Sequence, residues 1–313
     1  MPLATQQTTE PSSPVDTPIF YPLDHLAILD VTGTDALTFL QGQGTQDYLK
    51  RLPQAPLPGA FCTPKGRVVA NVWNVLLLTE PATVKLVTER SAADTLKRHL
   101  GKYIPFFRGS KLTDQSQALH GLGLSGPEAE PWLSRALGEG NNGLWRKGGH
   151  FAFSLPDGRF QLWLSALADD YERLMEQIES ARVLPAADWQ RLDIFAGYPW
   201  VNASLTGEFV PQSIGLEQLD GISFNKGCYT GQEVISRLHY KGKSKRGLQR
   251  LRWQGNATPA GPEVYTATGT AGTWINWVAD GGNCLGLAML KQSDEAPALY
   301  LDSERQIPLE LLD

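Results

Sequence analysis

Apolar and polar positions change period several times along this chain. In HLAILDVTGTDALTFLQGQGT (25–45) an apolar run gives way to helical spacing. Ala36, Leu37, Phe39 and Leu40 give that helix one buried face, and Gly42 is its stop. GAFCTPKGRVVANVWNVLLL then reads as two strands around a turn at Thr63-Pro64-Lys65-Gly66. An echo follows. NVLLLTEPATVKLVTERSAADTLKRHLGKY and FAFSLPDGRFQLWLSALADDYERLMEQIESA each read as strand, turn, strand, helix. Val84, Leu86 and Thr88 alternate with Lys85 and Val87, and Phe160, Leu162 and Leu164 alternate with Gln161 and Trp163. Tyr171, Leu174, Met175 and Ile178 make one helical face. Both stripes read as core. Repeated β-β-α units suit two ferredoxin-like α/β halves, and they are too dissimilar for a solenoid. Between them, GLSGPEAEPWLSRALGEGNNG reads as a helix capped by Ser125, with Pro127 in its first turn and Gly138 at its end. From about Gly247, short apolar stretches alternate with Gly and Pro turns, the pattern of a small antiparallel barrel or sandwich. The expected division is a disordered tail over 1–19, a two-half region over 20–242 and a C-terminal domain over 243–313.

Composition narrows the class. The 313 residues are 42% hydrophobic and 19% charged, as in soluble globular chains. The net charge of −5 gives no long-range attraction to nucleic acid or anionic membrane, so any such contact is local. No apolar run reaches the roughly eighteen residues of a membrane helix. The first eighteen residues hold no Lys or Arg and no apolar run, unlike a secretory or transit signal. Cys62, Cys228 and Cys284 lie far apart with no CxxC pair, which fits a reducing, cytoplasmic setting. Three scattered cysteines and five histidines without ligand spacing argue against a metal or cluster held by this chain alone.

The segment NKGCYTGQE (225–233) holds the most concentrated candidate chemistry. Gly227 and Gly231 allow close backbone approach or positive φ. TGQEVISRL can start a helix near Thr230, which would put Cys228 just ahead of a helix N-terminus with Lys226 two residues away. Both features favour a thiolate. His239 is the nearest base in sequence. The alternative is a small buried residue packing a turn.

Three other features bear on function. Arg237, Lys241, Lys243, Lys245, Arg246, Arg250 and Arg252 form a run of cations without an acid. It fits an anionic tail, a carboxylate or phosphate, an RNA backbone with Tyr240 and Trp253 stacking, or a solvated connector. Gly242-Lys243-Ser244 resembles the end of a P-loop, but the required first glycine is Arg237. Asp193, in RLDIFAGYPW, is a carboxylate among apolar residues. It can grip an aminopyrimidine edge through paired N–H donors, pair with Arg191, or cap a turn.

Together, RLDIFAGYPW and FVPQSIGLEQLDGISFNKGCYTGQEVISRLHYKGKSKRGL closely resemble the YgfZ family. Its members are folate-binding proteins related to the T-protein (aminomethyltransferase) of the glycine cleavage system. DALTFLQGQGTQD and GAFCTPKGRV match the family's early motifs, so the resemblance runs from about Leu26 to Leu248. It implies an α+β, T-protein-like fold: two ferredoxin-like subdomains plus a C-terminal antiparallel β-barrel around a central opening. It implies tetrahydrofolate or a derivative as ligand. It also implies iron–sulfur client or assembly proteins as partners, including an enzyme that thiolates tRNA, which need not mean that this chain touches tRNA. The acidic balance argues against direct RNA binding, and the lack of a long apolar run against a membrane. The signature residues fall on Lys226, Gly227, Cys228, Tyr229, Gly231, Gln232 and Glu233, with Cys228 the functional thiol in the wall of the opening. The basic stretch, Arg237 and Lys243 included, would suit the glutamate tail of folate, and Asp193 the pterin. The reading is an accessory protein rather than a turnover enzyme; a folate-dependent aminomethyl or one-carbon transferase is the alternative.

Overall fold

Each β-β-α echo closes into its own sheet. The computed structural model describes residues 17–242, 245–292 and 297–312. Residues 1–16 of the expected tail, and Lys243, lie outside the described residues.

The chain enters through β1 (Ile19–Pro22). The first half follows as β2 (Leu26–Gly33), α1 (Ala36–Gln41), β3 (Leu57–Cys62), β4 (Val68–Thr79), β5 (Ala82–Glu89), α2 (Ala93–Gly101) and β6 (Ser110–Asp114). Its sheet runs β3-β4-β5-β2-β6, a ferredoxin-like order with β3 added at one edge. The second half comprises β7 (Leu119–Ser125), α3 (Ala129–Leu137), β8 (Leu144–Lys147), β9 (His150–Ser154), β10 (Phe160–Ser165), α4 (Tyr171–Glu179) and β11 (Arg182–Val183). Its sheet runs β11-β1-β7-β10-β9-β8. The N-terminal strand is thus inserted into the second sheet, antiparallel to β7 and parallel to β11. Ser125 does not cap α3. It ends β7 and shares a 2.9 Å hydrogen bond with the Tyr21 hydroxyl, and α3 starts behind Glu128 with no side-chain cap.

Both faces of each sheet are buried, which is why strand alternation does not sort apolar from polar cleanly. Val84 and Leu86 of β5 face α1 and α2. Leu162 and Leu164 of β10 face α3 and α4, together with Leu174 and Ile178. The opposite faces meet each other: Ile28, Trp73, Val75 and Val87 of the first sheet pack with Phe151, Phe153 and Trp163 of the second. In this layer Lys85 donates to Asp30 Oδ2 at 2.6 Å, so the polar position of β5 is a buried ion pair and not a solvent face. Burial raises the Asp30 pKa against the opposing pull of Lys85.

Beyond the halves come α5 (Ala186–Phe195) and α6 (Gln232–Lys241). A closed barrel follows from β12 (Arg246–Gln254), β13 (Glu263–Thr266), β14 (Thr270–Asp280), β15 (Asn283–Lys291), β16 (Leu299–Tyr300) and β17 (Pro308–Leu312). Closure leaves no sheet edge. Trp253 lies in the barrel core and donates Nε1 to Ala257 O at 2.8 Å, so it is no stacking platform for a base. The barrel is tied to the α5 exit. Trp200 N donates to Asn276 Oδ1 at 2.7 Å, and Asn276 Nδ2 returns a bond to Trp200 O at 3.0 Å. Arg191 also reaches the barrel, donating to Asn283 O at 2.9 Å.

Candidate functional site

Two places gather the chemistry. The first lies between the inner sheet faces, where α5 delivers Asp193 into a pocket of about 190 Å³. Pro58 and Trp73 come from the first half, Leu155, Arg159 and Gln161 from the second, and Tyr198 and Trp200 from the turn after α5. Asp193 is buried, and its partner is not Arg191. Arg159 Nη1 stands 2.8 Å from Asp193 Oδ1, and Trp200 Nε1 donates to Oδ2 at 2.9 Å. Arg159 is held in turn by Asp157, to which Nε donates at 2.7 Å, and by the Trp189 ring 4.2 Å away. Burial lifts the Asp193 pKa to about 6 against the opposing pull of Arg159 and of the Trp200 hydrogen bond. Tyr198 stacks on Trp73 at 5.2 Å. Among the described residues its buried hydroxyl has no hydrogen-bond partner, and burial together with the Asp193 charge pushes its pKa up.

This pocket adjoins a groove of about 850 Å³ between α6 and the barrel; Ala196 and Leu219 line both. Glu217, His239, Arg246 and Arg250 are among the groove's polar residues. Arg250 donates to Phe195 O at 2.8 Å. Arg252, from the same cation run, turns elsewhere and pairs with Glu310. Arg237 is on the exposed side of α6 and outside the groove lining.

The second place is the NKGCYTGQE loop. Lys226 is buried, and its ammonium donates to Gly44 O at 2.7 Å and Gln46 O at 2.5 Å. The rings of Tyr48 and Tyr229 flank it at 5.5 and 4.8 Å. Burial lowers its pKa to about 7, with the Asp47 charge opposing. The ammonium therefore faces into a cradle made by the QGQGTQD segment, while Cys228 is exposed at the surface. α6 begins at Gln232 behind Gly231, two residues after the start expected near Thr230, so Cys228 lies four residues ahead of the first helical residue. His239 is already engaged. Its Nδ1 is 2.7 Å from Glu217 Oε1, and its ring stacks on Phe224 at 3.7 Å.

The two motif glycines differ. Gly231 has φ +85°, and a Cβ there would sit 2.6 Å from Thr63 O, so only glycine fits. A Cβ at Gly227 would meet no heavy atom within 4 Å, and the residue has no positive φ, so neither expected constraint applies. Tyr229 packs beside Cys62 in the core under the loop, its backbone N donating to Gln232 Oε1 at 3.2 Å. Glu233 is exposed in the first turn of α6.

Of the expected site residues that are described, then, only Asp193 lines the inter-sheet pocket, and neither that pocket nor the groove is lined by Cys228 or the other signature residues. Arg159 and Tyr198 are the partners that sequence reasoning missed. Arg159 reads as the end of a Pro-Asp-Gly hairpin turn, and Tyr198 as part of a Gly-Tyr-Pro turn.

No family model matches the chain. Curated proteins do match. Over 247 residues it is 32% identical to the "tRNA-modifying protein YgfZ" of Serratia proteamaculans, spanning 77% of this chain and 73% of that protein. The chain belongs to the YgfZ family. The protein of the same name from Yersinia enterocolitica is 32% identical over 244 residues, 76% of this chain and 72% of that one. The fold of this chain is similar to that of a solved structure, the glycine cleavage system aminomethyltransferase T from Bartonella henselae. The TM-score is 0.73, covering 95% of this chain and 86% of that one at 16% identity, a likeness of fold. The α+β, T-protein-like architecture with its C-terminal barrel is thereby established.

Proposed function

We propose that this YgfZ-family chain is a cytoplasmic folate-binding accessory protein that supports assembly or repair of iron–sulfur enzymes, and that it is not itself a turnover enzyme. The observation that carries the folate reading is the buried Asp193 carboxylate in the inter-sheet pocket, which adjoins the groove through Ala196 and Leu219. Each Asp193 oxygen has one protein partner, and a carboxylate oxygen accepts two hydrogen bonds. Two acceptor positions are left for the paired N–H donors of a pterin edge. The Tyr198 hydroxyl adds one more unsatisfied group. Trp73 and Leu155 supply apolar contact, and about 190 Å³ suits a bicyclic ring. The groove beside it has room for a benzoyl-glutamate tail, with Arg246 and Arg250 in its lining. These residues fit tetrahydrofolate or a derivative, which would bring one-carbon or redox chemistry with it.

The iron–sulfur role rests on family membership and on Cys228, the exposed cysteine of three. A single accessible thiol suits a transient bond or one ligand offered to a partner's cluster. Anaerobic calorimetric titration with tetrahydrofolate tests the ligand: one-site saturable heat is expected, and no heat at roughly millimolar ligand removes the reading. Cellular iron–sulfur enzyme activity in a Cys228→Ala strain tests the role: a loss is expected, and wild-type activity speaks against it.

A further inference from the structure

One short segment, residues 42–46, fastens both places. On one side it holds the wall of the pocket and groove. Thr45 Oγ1 donates to Gly221 O at 2.7 Å, Gln46 Nε2 donates to Asp220 O at 2.5 Å, and Ser223 N donates to Thr45 O at 2.9 Å. Asp220 also pairs with Arg51 and adopts φ +58°, a left-handed conformation that aspartate takes more readily than most non-glycine residues. These bonds end the turn that places Leu219 in both cavities. On the other side the same segment holds the cysteine loop. Lys226 donates to the Gly44 and Gln46 carbonyls, and Thr230 N donates to Gly42 O at 3.1 Å. Gln46 therefore takes part in both attachments, with its side chain toward Asp220 and its carbonyl toward Lys226. A buried ammonium on two carbonyls is a fastening without a carboxylate: its removal strands two acceptors at once.

From this geometry we propose that Lys226 is a positioning residue that fastens the Cys228 loop to residues 42–46, and that through Gln46 the occupancy of the folate pocket sets the reactivity of Cys228. The second part rests on the folate reading above. A ligand packed against Leu219 restrains the 215–221 turn, Gln46 passes the restraint to its own carbonyl, and Lys226 passes it to the loop. Coupling of this kind needs a contiguous set of contacts biased by the ligand, and the hydrogen bonds supply the contacts.

Cys62 and Cys284 are buried, so iodoacetamide reports on Cys228. The alkylation rate of the full chain is measured against pH, with and without saturating tetrahydrofolate under anaerobic conditions, and calorimetry is run in parallel. In the wild type, bound folate slows alkylation roughly fivefold or more. Lys226→Met alkylates faster without ligand, loses the folate effect and keeps the pH midpoint of the thiol. Gln46→Ala, which leaves Lys226 in place, keeps folate binding and loses the folate effect. Calorimetric binding with an unchanged alkylation rate overturns the coupling while the folate reading stands; absence of binding overturns both. A Lys226→Met midpoint raised by about a unit or more shows direct activation of the thiol by the ammonium and overturns the positioning role. Should Lys226→Met fail to fold, Gln46→Ala decides: a folate effect that survives it sinks the proposal.

Discussion

The Asp193 pocket and the Cys228 loop are built on opposite plans. Asp193 projects from a helix into a layer closed by two sheets, and its charge is met by a guanidinium that is itself buried and stacked. Cys228 stands in solvent on a loop whose neighbour Lys226 is buried instead. In the pocket the functional group is held and its surroundings are rigid. In the loop the anchor is held and the functional group is left accessible. A ligand-binding carboxylate benefits from low dielectric and fixed geometry; a thiol that meets a macromolecular partner needs exposure and gains its geometry from residues that the partner never touches.

The largest expected effect tests the rigid side. Asp193→Ala takes one of two carboxylates from buried Arg159, leaving Asp157, and strands the Trp200 Nε1 donor, so denaturant unfolding should show a loss of about 2–4 kcal/mol, with tetrahydrofolate binding gone. An intact stability would mean that water reaches Arg159 and that the pocket is not closed.

Next comes Lys226→Met on the loop side. Two stranded carbonyls cost on the order of 2–4 kcal/mol, offset in part by relief of ammonium burial, so the net drop in chemical unfolding should be about 1–3 kcal/mol. Gly231→Ala should cost about 1–3 kcal/mol through the positive φ and the contact with Thr63 O, read as a lower Tm. Gly227→Ala is its control and should change stability by less than about 0.5 kcal/mol.

The pH dependence of folate affinity sharpens the comparison further. The pterin edge donates protons, so it needs the ionised Asp193. With the folded pKa raised to about 6, affinity should be flat above pH 7 and fall toward about tenfold per pH unit once the pH drops below 6. Isothermal titration between pH 5 and pH 8, with Asp193→Asn as the reference, checks this; a flat profile would remove Asp193 from the site. Smallest of all in stability is Cys228→Ser, expected within about 0.5 kcal/mol of wild type because the thiol is exposed. Its effect belongs entirely to the cellular assay.

Much of this was legible along the chain, and the exceptions share a cause. Periodicity alone located α1, α2, α4 and four apolar stretches of the barrel, because each buries a local stripe of Ala, Leu, Val or Ile. It missed β13 and β17, which are four and five residues long and bury little: β13 has one buried residue, Val264, and β17 has none. It showed Lys85 and Gln161 alternating with apolar positions but not where they go, and both are buried. A sheet covered on both sides has no solvent face, and the second cover comes from the other half of the chain.

By itself the sequence determined the family, the two α/β halves and the barrel, since these rest on local patterns and a long specific motif. It also singled out Asp193 and the signature loop as the chemistry to watch. Only the tertiary structure decided what those residues touch. Arg159 meets Asp193 across 34 positions, Lys226 meets Gly44 across 182, and β1 joins the sheet of the second half. No local propensity encodes such pairings. Burial selects them, because a charge or a carbonyl removed from water must find its partner wherever the fold brings one.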